Sequence, residues 1–403
     1  MLDLSKIAQQ MQGISHHLAR EAEAAKTRVA IAAQLLSQAR QQQPQLVEML
    51  HRYDQGFTAA EPVEPLDTRV AIAAAPAAHS VIATDGSQIS PSHHEIAYCY
   101  LLNIGRIVLH YGQSRFPTLD SQPEVIYRPE DLYASRRWGI STEEWMGHRR
   151  TMAEASVLGE LATQALGPTM ASTTSQLPLL SRPPCLAMTD GSLIYWFLDQ
   201  LPAAARDQIL TPILAAWEQL RQAQVPLVGY ISASRSSEAL NFLRLQSCPH
   251  SEPDCQRYCD GQTDGAPCQT FSPLRDVTLW ATRLEPGQRG PLFKSSADIL
   301  SLYGDHSIYF CHVHVGAEVA RVEMPRWVVE EPGLIDAALS LTLAQVAKGF
   351  GYPVALAEAH NQAVVRGGDR HRFFLFLEQQ MIRAGLKNVG TSYKEARKRG
   401  SIA

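Results

Sequence analysis

Two short apolar segments of the chain end in the same three residues, Asp-Gly-Ser. Residues 80–85 read SVIATD and residues 185–190 read CLAMTD, and Gly-Ser follows each of them. Short runs rich in apolar side chains predict buried strands, and an Asp-Gly pair predicts a turn where the strand ends. We therefore expect two similar strands, each followed by a turn, at residues 85–87 and 190–192.

Strand-like and helical segments alternate along the rest of the chain. Residues 4–51 are rich in Ala, Gln, Leu, Arg and Glu, which predicts one or two long helices, and residues 142–166 predict another. Residues 95–111 resemble a hairpin that turns at residues 103–105. This alternation indicates an α/β fold in which helices flank a mixed sheet. Further strands are expected at residues 225–232, 308–315 and 318–323, and further helices at residues 203–222, 236–245 and 334–350.

The order of these patterns predicts four segments. A helical extension occupies residues 1–60, and the α/β domain occupies residues 75–390. A Cys-rich insertion with many Gly and Pro residues interrupts the domain at residues 248–273. A basic tail closes the chain at residues 391–403.

Composition and charge exclude several classes of protein. The 403 residues are 45% hydrophobic and 19% charged with a net charge of -4, so a sizeable core is expected. A chain with this charge is not a highly basic nucleic-acid coat protein, so any contact with nucleic acid requires a local positive surface. We find no signal peptide and no apolar run of membrane-spanning length, so we expect a cytoplasmic protein with no membrane partner.

Asp85 and Asp190 both stand where a predicted strand ends. Paired carboxylates at neighbouring strand ends can hold Mg²⁺ or Mn²⁺, because these cations prefer oxygen ligands and leave positions for water and phosphate. Asp-Gly is a common turn dipeptide, which would explain either copy alone. The repetition favours a shared metal site that suits phosphodiester hydrolysis.

A third carboxylate is expected from the helix at residues 142–166. Glu154 shares a helix face with apolar residues three, four and seven positions later, whereas Glu160 has polar neighbours at these spacings. Glu154 is therefore the predicted ligand, and Glu160 is predicted to face solvent. The alternative for Glu154 is a buried ion pair with Arg149 or Arg150.

Four of the seven cysteines crowd the insertion, as Cys248, Cys255, Cys259 and Cys268. Clustered cysteines in a reducing compartment bind metal more often than they form disulfides. Their spacing is not the standard Cys-x-x-Cys pair. A structural zinc site with four thiolates, or with His250 in place of one, an iron–sulfur cluster and free thiols all stay open.

Near the C-terminus, the sequence Gly351-Tyr352-Pro353 leads into an apolar run at residues 353–357. We interpret this run as a buried strand ahead of Glu358 and His360. This run, together with the two Asp-Gly-Ser motifs, resembles the NurA nuclease family. The resemblance extends from about residue 82 to residue 383 and implies an RNase H-like core. It matches the family's metal ligands to Asp85, Glu154, Asp190 and His360, an active-site Tyr to Tyr352, and a basic residue near the scissile phosphate to Arg235, where many members have Lys.

The resemblance also implies a biological role. The family consists of manganese-dependent DNA nucleases, with 5'-3' exonuclease and single-strand endonuclease activity, in DNA end resection and double-strand break repair. Its members act as homodimers with a hexameric translocase called HerA. This chain has no Gly-x-x-x-x-Gly-Lys-Ser/Thr loop, so the motor would be a separate protein.

Two other functions are compatible with the same residues. In one, the protein is a non-catalytic RNase H-like adaptor that binds DNA, and the acidic residues only shape turns. In the other, it is a different metal phosphohydrolase that acts on RNA or nucleotides. A histidine such as His360 is more often a structural residue than a ligand or a general acid, and only the surrounding motif reverses that preference.

Overall fold

The computed structural model of the chain describes residues 4–53, 55–91, 98–166, 182–259 and 265–385. The basic tail predicted at residues 391–403 lies outside these residues. Within them, the chain forms eleven strands and twelve α-helices. The strands are β1 (Glu61–Pro62), β2 (Val70–Ala71), β3 (His79–Ile89), β4 (Tyr100–Tyr111), β5 (Thr118–Ile126), β6 (Cys185–Asp190), β7 (Leu227–Ile231), β8 (Gln288–Arg289), β9 (Phe293–Lys294), β10 (Ile308–His314) and β11 (Val319–Pro325).

The helices include two long ones predicted from composition and period, at the N-terminus and at residues 142–166. In chain order they are α1 (Leu4–Gln41), α2 (Gln43–Arg52), α3 (Pro129–Leu132), α4 (Thr142–Leu166), α5 (Ala203–Gln222), α6 (Glu238–Ser247), α7 (Cys255–Tyr258), α8 (Asp276–Trp280), α9 (Arg326–Glu330), α10 (Leu334–Lys348), α11 (Val354–Ala363) and α12 (Gly367–Arg383). Among the described residues, no helix is long and apolar enough to span a bilayer.

The chain folds into two compact units, and each is assembled from separated stretches of sequence. The first unit contains Met1–Ala73, Gly191–Ile194 and Tyr230–Arg326. The second unit contains Ala74–Asp190, Tyr195–Gly229 and Trp327–Ala403.

The sheet of the second unit is mixed. Strands β3, β4 and β5 form an antiparallel meander, and β6 pairs with β3 in parallel, with Ser80 opposite Cys185. The start of β7 lies beside β6, where the Ala187 N–H donates to the Pro226 carbonyl at 2.9 Å. The strand order is therefore β7-β6-β3-β4-β5. This arrangement confirms the predicted α/β fold class, a mixed sheet flanked by helices.

Two helices cover opposite faces of β3, and two glycines allow them to come close. A Cβ at Gly86 would overlap the side chains of Arg150 and Glu154 on α4. A Cβ at Gly105, which pairs with Asp85 across β3 and β4, would overlap the backbone of α11. Because successive residues of a strand point to opposite faces, α4 packs on one side of the sheet and α11 on the other.

The first Asp-Gly-Ser motif is not a turn, and this prediction was wrong. Residues 85–87 lie inside β3, where they pair with Gly105, Ile104 and Asn103 of β4. The predicted hairpin at residues 95–111 was also wrong, since β4 runs unbroken through Gly105. Gly86 and Gly105 each allow a helix to pack closely on the sheet, and neither reverses the direction of the chain. Only the second motif turns, at Gly191 with φ of 96°.

The predicted strand at residues 353–357 is the start of a helix. Pro353, with φ of -57°, precedes α11, a position that suits the fixed φ of proline. Ala355, Leu356 and Ala359 are buried at the spacing of one helix face. A short apolar run is compatible with either structure, which is why its period alone could not decide between them.

The first unit contains antiparallel strands and the N-terminal helices. Its strand order is β1-β9-β10-β11, with β8 pairing with β10 and β2 pairing with β8. Ala32, Leu36 and Ala39 of α1 are buried in the same core as Leu240 and Phe242 of α6. The second half of α1 is therefore part of this core. Apolar residues earlier in α1, among them Leu4, Met11, Ile14 and Leu18, are exposed.

Gly105→Ala is expected to lower the free energy of unfolding by about 1–3 kcal/mol, because the added methyl group overlaps the backbone of α11. Urea unfolding followed by circular dichroism measures this change. Gly147→Ala on α4 is the control, since nothing lies within 4 Å of its added Cβ. Helix propensity should make the control neutral or stabilising by up to about 1 kcal/mol. Equal effects of the two substitutions would contradict the close packing at Gly105.

Candidate active site

Asp85 and His360 make direct contact in the second unit. Asp85 lies within β3, and its side chain keeps 26% of its exposure, while the His360 side chain on α11 keeps 67%. One Asp85 oxygen accepts the Gly86 N–H at 2.7 Å, and the other lies 2.8 Å from His360 Nδ1. The structure therefore brings together two of the residues predicted as metal ligands, one from a strand and one from a helix.

Polar side chains of β3 and β4 hold the end of α11. Asn103 on β4 donates from Nδ2 to the carbonyls of Gln362 at 3.3 Å and Ala363 at 2.8 Å. The Ser87 hydroxyl also donates to the Ala363 carbonyl. The last carbonyls of a helix have no partner within it, so these bonds satisfy groups that would otherwise need water. They fix the helix that carries His360.

The three residues of the first Asp-Gly-Ser motif thus have different tasks. Asp85 contacts His360, Gly86 gives α4 room to approach, and Ser87 holds the end of α11. The sequence did not reveal the last two tasks, because a turn explained the same letters.

Glu154 approaches β3 from the opposite face. The Thr84 hydroxyl donates to the Glu154 carbonyl oxygen at 3.0 Å, which ties α4 to β3 next to Asp85. The Glu154 side chain keeps 24% of its exposure, and Arg150 Nε lies 3.3 Å from its Oε1. The ion pair with Arg150 that the sequence left open is therefore formed. Glu160, in contrast, is exposed, as predicted from its polar neighbours.

Two other carboxylates, those of Asp85 and Asp190, act electrostatically on Glu154. Burial raises the pKa of Glu154 to about 7, against the effect of the Arg150 guanidinium. The charges of Asp85 and Asp190 raise this pKa further. A carboxylate is destabilised in this way when like charges lie close to it in a poorly solvated region. A cation in this region would be stabilised by the same charges.

Asp190 is the exposed last residue of β6. The next residues, Gly191 to Ile194, belong to the first unit, where buried Glu323 holds them. Glu323 Oε2 accepts from the Ser192 hydroxyl at 2.9 Å and from the Leu193 N–H at 2.7 Å. The second Asp-Gly-Ser motif therefore continues into a segment with a fixed conformation.

A buried ion-pair network that the sequence analysis missed supports that segment. Arg321 donates from Nε to Glu323 at 2.7 Å, and its Nη2 lies 2.9 Å from Glu238. Its Nη1 donates to the Ser236 hydroxyl at 3.0 Å. Buried charges are stable only when they are paired and hydrogen-bonded, as these are. The signal was the Arg-x-Glu sequence inside the otherwise apolar strand β11.

The other predicted residues are spread over both units. Tyr352 lies in the second unit, half-buried in the loop from α10 to α11. Arg235 lies in the first unit, where its side chain is exposed and its carbonyl accepts from Arg275 Nη1 at 2.6 Å. The four clustered cysteines also lie in the first unit.

The donor set of the second unit suits a hard divalent cation. It offers the carboxylates of Asp85, Glu154 and Asp190 and the imidazole of His360, which are ligand types for Mn²⁺ and Mg²⁺. As the side chains of the described residues stand, no three Asp, Glu, His or Cys groups are arranged around one ion. The pairing of Glu154 with Arg150 is one contact that would have to open. The chemistry of the residues fits a cation, and its binding requires side-chain rearrangement.

The family relationship rests on the sequence itself. The profile of the NurA domain matches residues 79–365, which is more than half of the chain. The chain belongs to the NurA family. That membership supports a role as a nuclease, and the matched region includes Asp85, Glu154, Asp190 and His360.

A solved NurA structure has a similar fold. The NurA nuclease from Sulfolobus solfataricus superposes with a TM-score of 0.52 at 11% identity, covering 95% of this chain and 98% of that one. LC9-RNase H1, a type 1 RNase H with the type 2 active-site motif, matches at 13% identity over 56% of this chain and 92% of that one. Its TM-score is 0.17. No curated protein matches the chain.

The raised pKa of Glu154 predicts a pH dependence of stability in metal-free buffer. The folded protein keeps this proton up to about pH 7, whereas an unfolded chain loses it near the ordinary value of 4.5. Between these values the unfolded state binds fewer protons, so stability should fall as pH rises, by up to about 1.4 kcal/mol per pH unit. Glu154→Gln should remove this decline.

Urea unfolding from pH 4.5 to 8 with a chelator present measures the effect. Glu160→Gln is the matched control, an exposed carboxylate on the same helix, and it should keep the pH dependence of the parent protein. If Glu154→Gln leaves the slope unchanged, the Glu154 carboxyl is not the group responsible.

Proposed function

We propose that the protein is a metal-dependent DNA nuclease whose active site is formed by Asp85, Glu154, Asp190 and His360. The observation that carries the proposal is the collection of carboxylates in the second unit. Burial and the charges of Asp85 and Asp190 raise the pKa of Glu154 to about 7. Such a concentration of negative charge is costly unless a proton or a cation balances it.

A bound Mn²⁺ or Mg²⁺ would supply an activated water and stabilise negative charge on the phosphate. Asp85, Glu154 and Asp190 are the carboxylates that would hold it. For this, Glu154 has to release Arg150, 3.3 Å away. The freed guanidinium would then be available to a phosphate, whose geometry matches the planar fork of its N–H donors.

His360 is held through Nδ1 by Asp85, at 2.8 Å. When Nδ1 is protonated and donates a hydrogen bond to Asp85, Nε2 carries the lone pair and can bind a cation. When both nitrogens are protonated, Nε2 can give a proton to the leaving oxygen. The Asp85 contact orients the imidazole for either role. Tyr352 and Arg235 are proposed to contact the substrate, Arg235 by neutralising a phosphate oxygen.

DNA is the proposed substrate, with 5'-3' exonuclease and single-strand endonuclease activity in end resection and double-strand break repair. The net charge requires a local positive surface, and α12 offers one. Arg366, Arg370 and Arg372 are exposed at its start, shortly after His360. A HerA-type hexameric translocase is the proposed partner, and a cytoplasmic location follows from this role.

Asp85→Asn and Asp190→Asn should each reduce Mn²⁺-dependent cleavage of end-labelled linear DNA by roughly 100-fold or more, because each change removes a charged metal ligand. Asp207→Asn, an exposed Asp on α5, is the matched control and should cleave like the parent protein. Circular dichroism and thermal unfolding confirm that the variants are folded. Full cleavage by both folded variants would rule out the proposed site.

The same assay separates the other functions. A non-catalytic adaptor would bind DNA in a salt-sensitive manner without hydrolysis at any metal concentration. A phosphohydrolase for RNA or nucleotides would release product from those substrates and leave DNA intact. The proposal requires faster cleavage of DNA than of either.

The exposed apolar residues of α1 are proposed to mediate the homodimer. Leu4, Met11, Ile14 and Leu18 are separated by seven, three and four positions, which is the spacing of a coiled-coil seam. Ile14→Glu combined with Leu18→Glu should therefore abolish dimerisation, as measured by sedimentation velocity. His16→Glu changes an exposed residue on the opposite side of the helix and should leave the dimer intact. A dimer that survives the double substitution must use another surface.

A further inference from the structure

All four cysteines of the insertion face one small cavity in the first unit. Cys248 directly follows α6, Cys255 begins α7, and Cys259 directly follows α7. Together with Cys268 they line a cavity of about 40 Å³. The remaining cysteines of the chain, Cys99, Cys185 and Cys311, are buried elsewhere.

The sulfur atoms of this cavity have donors suited to thiolates. Arg244, buried in α6, donates from Nε and from Nη2 to Cys268 Sγ, both at 3.4 Å. The backbone N–H of His250 donates a hydrogen bond to the sulfur of Cys248. Donors directed at sulfur are the contacts that orient and stabilise metal-bound thiolates.

The cavity distinguishes between the alternatives that the sequence left open. A volume of about 40 Å³ accommodates one ion, whereas an iron–sulfur cluster would need space for several iron and sulfide atoms. The His250 ring is stacked on Tyr258 at 3.9 Å, an arrangement that engages this imidazole and favours four sulfur ligands. None of the seven cysteines, each among the described residues, forms a disulfide bond.

We propose that Cys248, Cys255, Cys259 and Cys268 bind one structural Zn²⁺. Four thiols release four protons and give the ion four sulfur ligands, the usual donor set of a closed structural site. Zinc and four thiolates carry a net charge of about -2, and the Arg244 guanidinium beside Cys268 offsets part of it. As the described side chains stand, three donors do not yet meet around one point, so metal binding draws the thiols inward.

Zinc at this position would attach the insertion to α6. Cys248 follows the last residue of this helix, and the Ser247 hydroxyl donates to the Cys268 carbonyl at 3.1 Å. The N–H groups of Ala239 and Leu240 at the other end of α6 donate to buried Asp276. The metal and this carboxylate would fix both ends of the helix.

The test measures metal content and does not depend on nuclease activity. The full-length chain, expressed with added zinc and purified by gel filtration, should hold about one zinc per chain by mass spectrometry. Cys255→Ser should lower the zinc content severalfold, while Cys99→Ser, which alters a core cysteine outside the cavity, should keep it. Four cysteines of the parent chain should resist alkylation until a chelator is added.

Cobalt substitution in the parent chain keeps the proposal testable if Cys255→Ser does not fold. Co²⁺ bound by four thiolates gives strong sulfur-to-cobalt charge-transfer bands and the visible bands of a tetrahedral site. A parent chain without zinc and without these bands would overturn the proposal. So would iron with sulfide in the purified protein, or disulfide bonds among the four cysteines.

Discussion

Two helices reach strand β3 at the same point because neither Gly86 nor Gly105 has a side chain. Gly86 leaves room for Arg150 and Glu154 of α4, and Gly105 leaves room for the backbone of α11. Asp85 lies at this point, beside Gly86 along the strand and opposite Gly105 across the sheet. A larger residue at either position would push away the helix that carries Glu154 or the one that carries His360. The candidate site depends on this close packing.

The same packing has an electrostatic cost, because it destabilises the charged form of Glu154. Bringing Glu154 toward the sheet buries its carboxylate near two others and raises its pKa to about 7. Arg150 offsets part of this cost in the structure described here. Perturbed pKa values occur in structural ion-pair networks as well as at catalytic groups. Membership in the NurA family and the contact between Asp85 and His360 favour a metal site as the explanation for the raised pKa of Glu154.

The sequence predicted regular elements better than the tasks of single residues. Apolar periodicity was sufficient for α4, whose bounds are those expected, and strand–helix alternation was sufficient for the fold class. Asp-Gly-Ser was misleading in its first copy, because a glycine needed for a turn and one needed for close approach look identical in one sequence. Residues 353–357 were assigned to a strand, because a short apolar run has no distinctive period.

Long-range pairings could not be predicted at all. The i to i+4 spacing of Arg150 and Glu154 made their ion pair foreseeable, but nothing local links Arg321 to Glu238 or Glu323 to Ser192. The clustering of the four cysteines suggested a metal site without selecting the metal, and the cavity that they share favours a single ion over an iron–sulfur cluster. Such features arise from tertiary contacts between residues far apart in the chain.

Diffraction from crystals soaked in Mn²⁺, recorded at the manganese absorption edge, tests the central claim most directly. Manganese is expected at about 2 Å from oxygen atoms of Asp85 and Asp190, with Glu154 turned toward the ion and released from Arg150. Manganese bound elsewhere, or Glu154 still paired with Arg150 at saturating Mn²⁺, would contradict it.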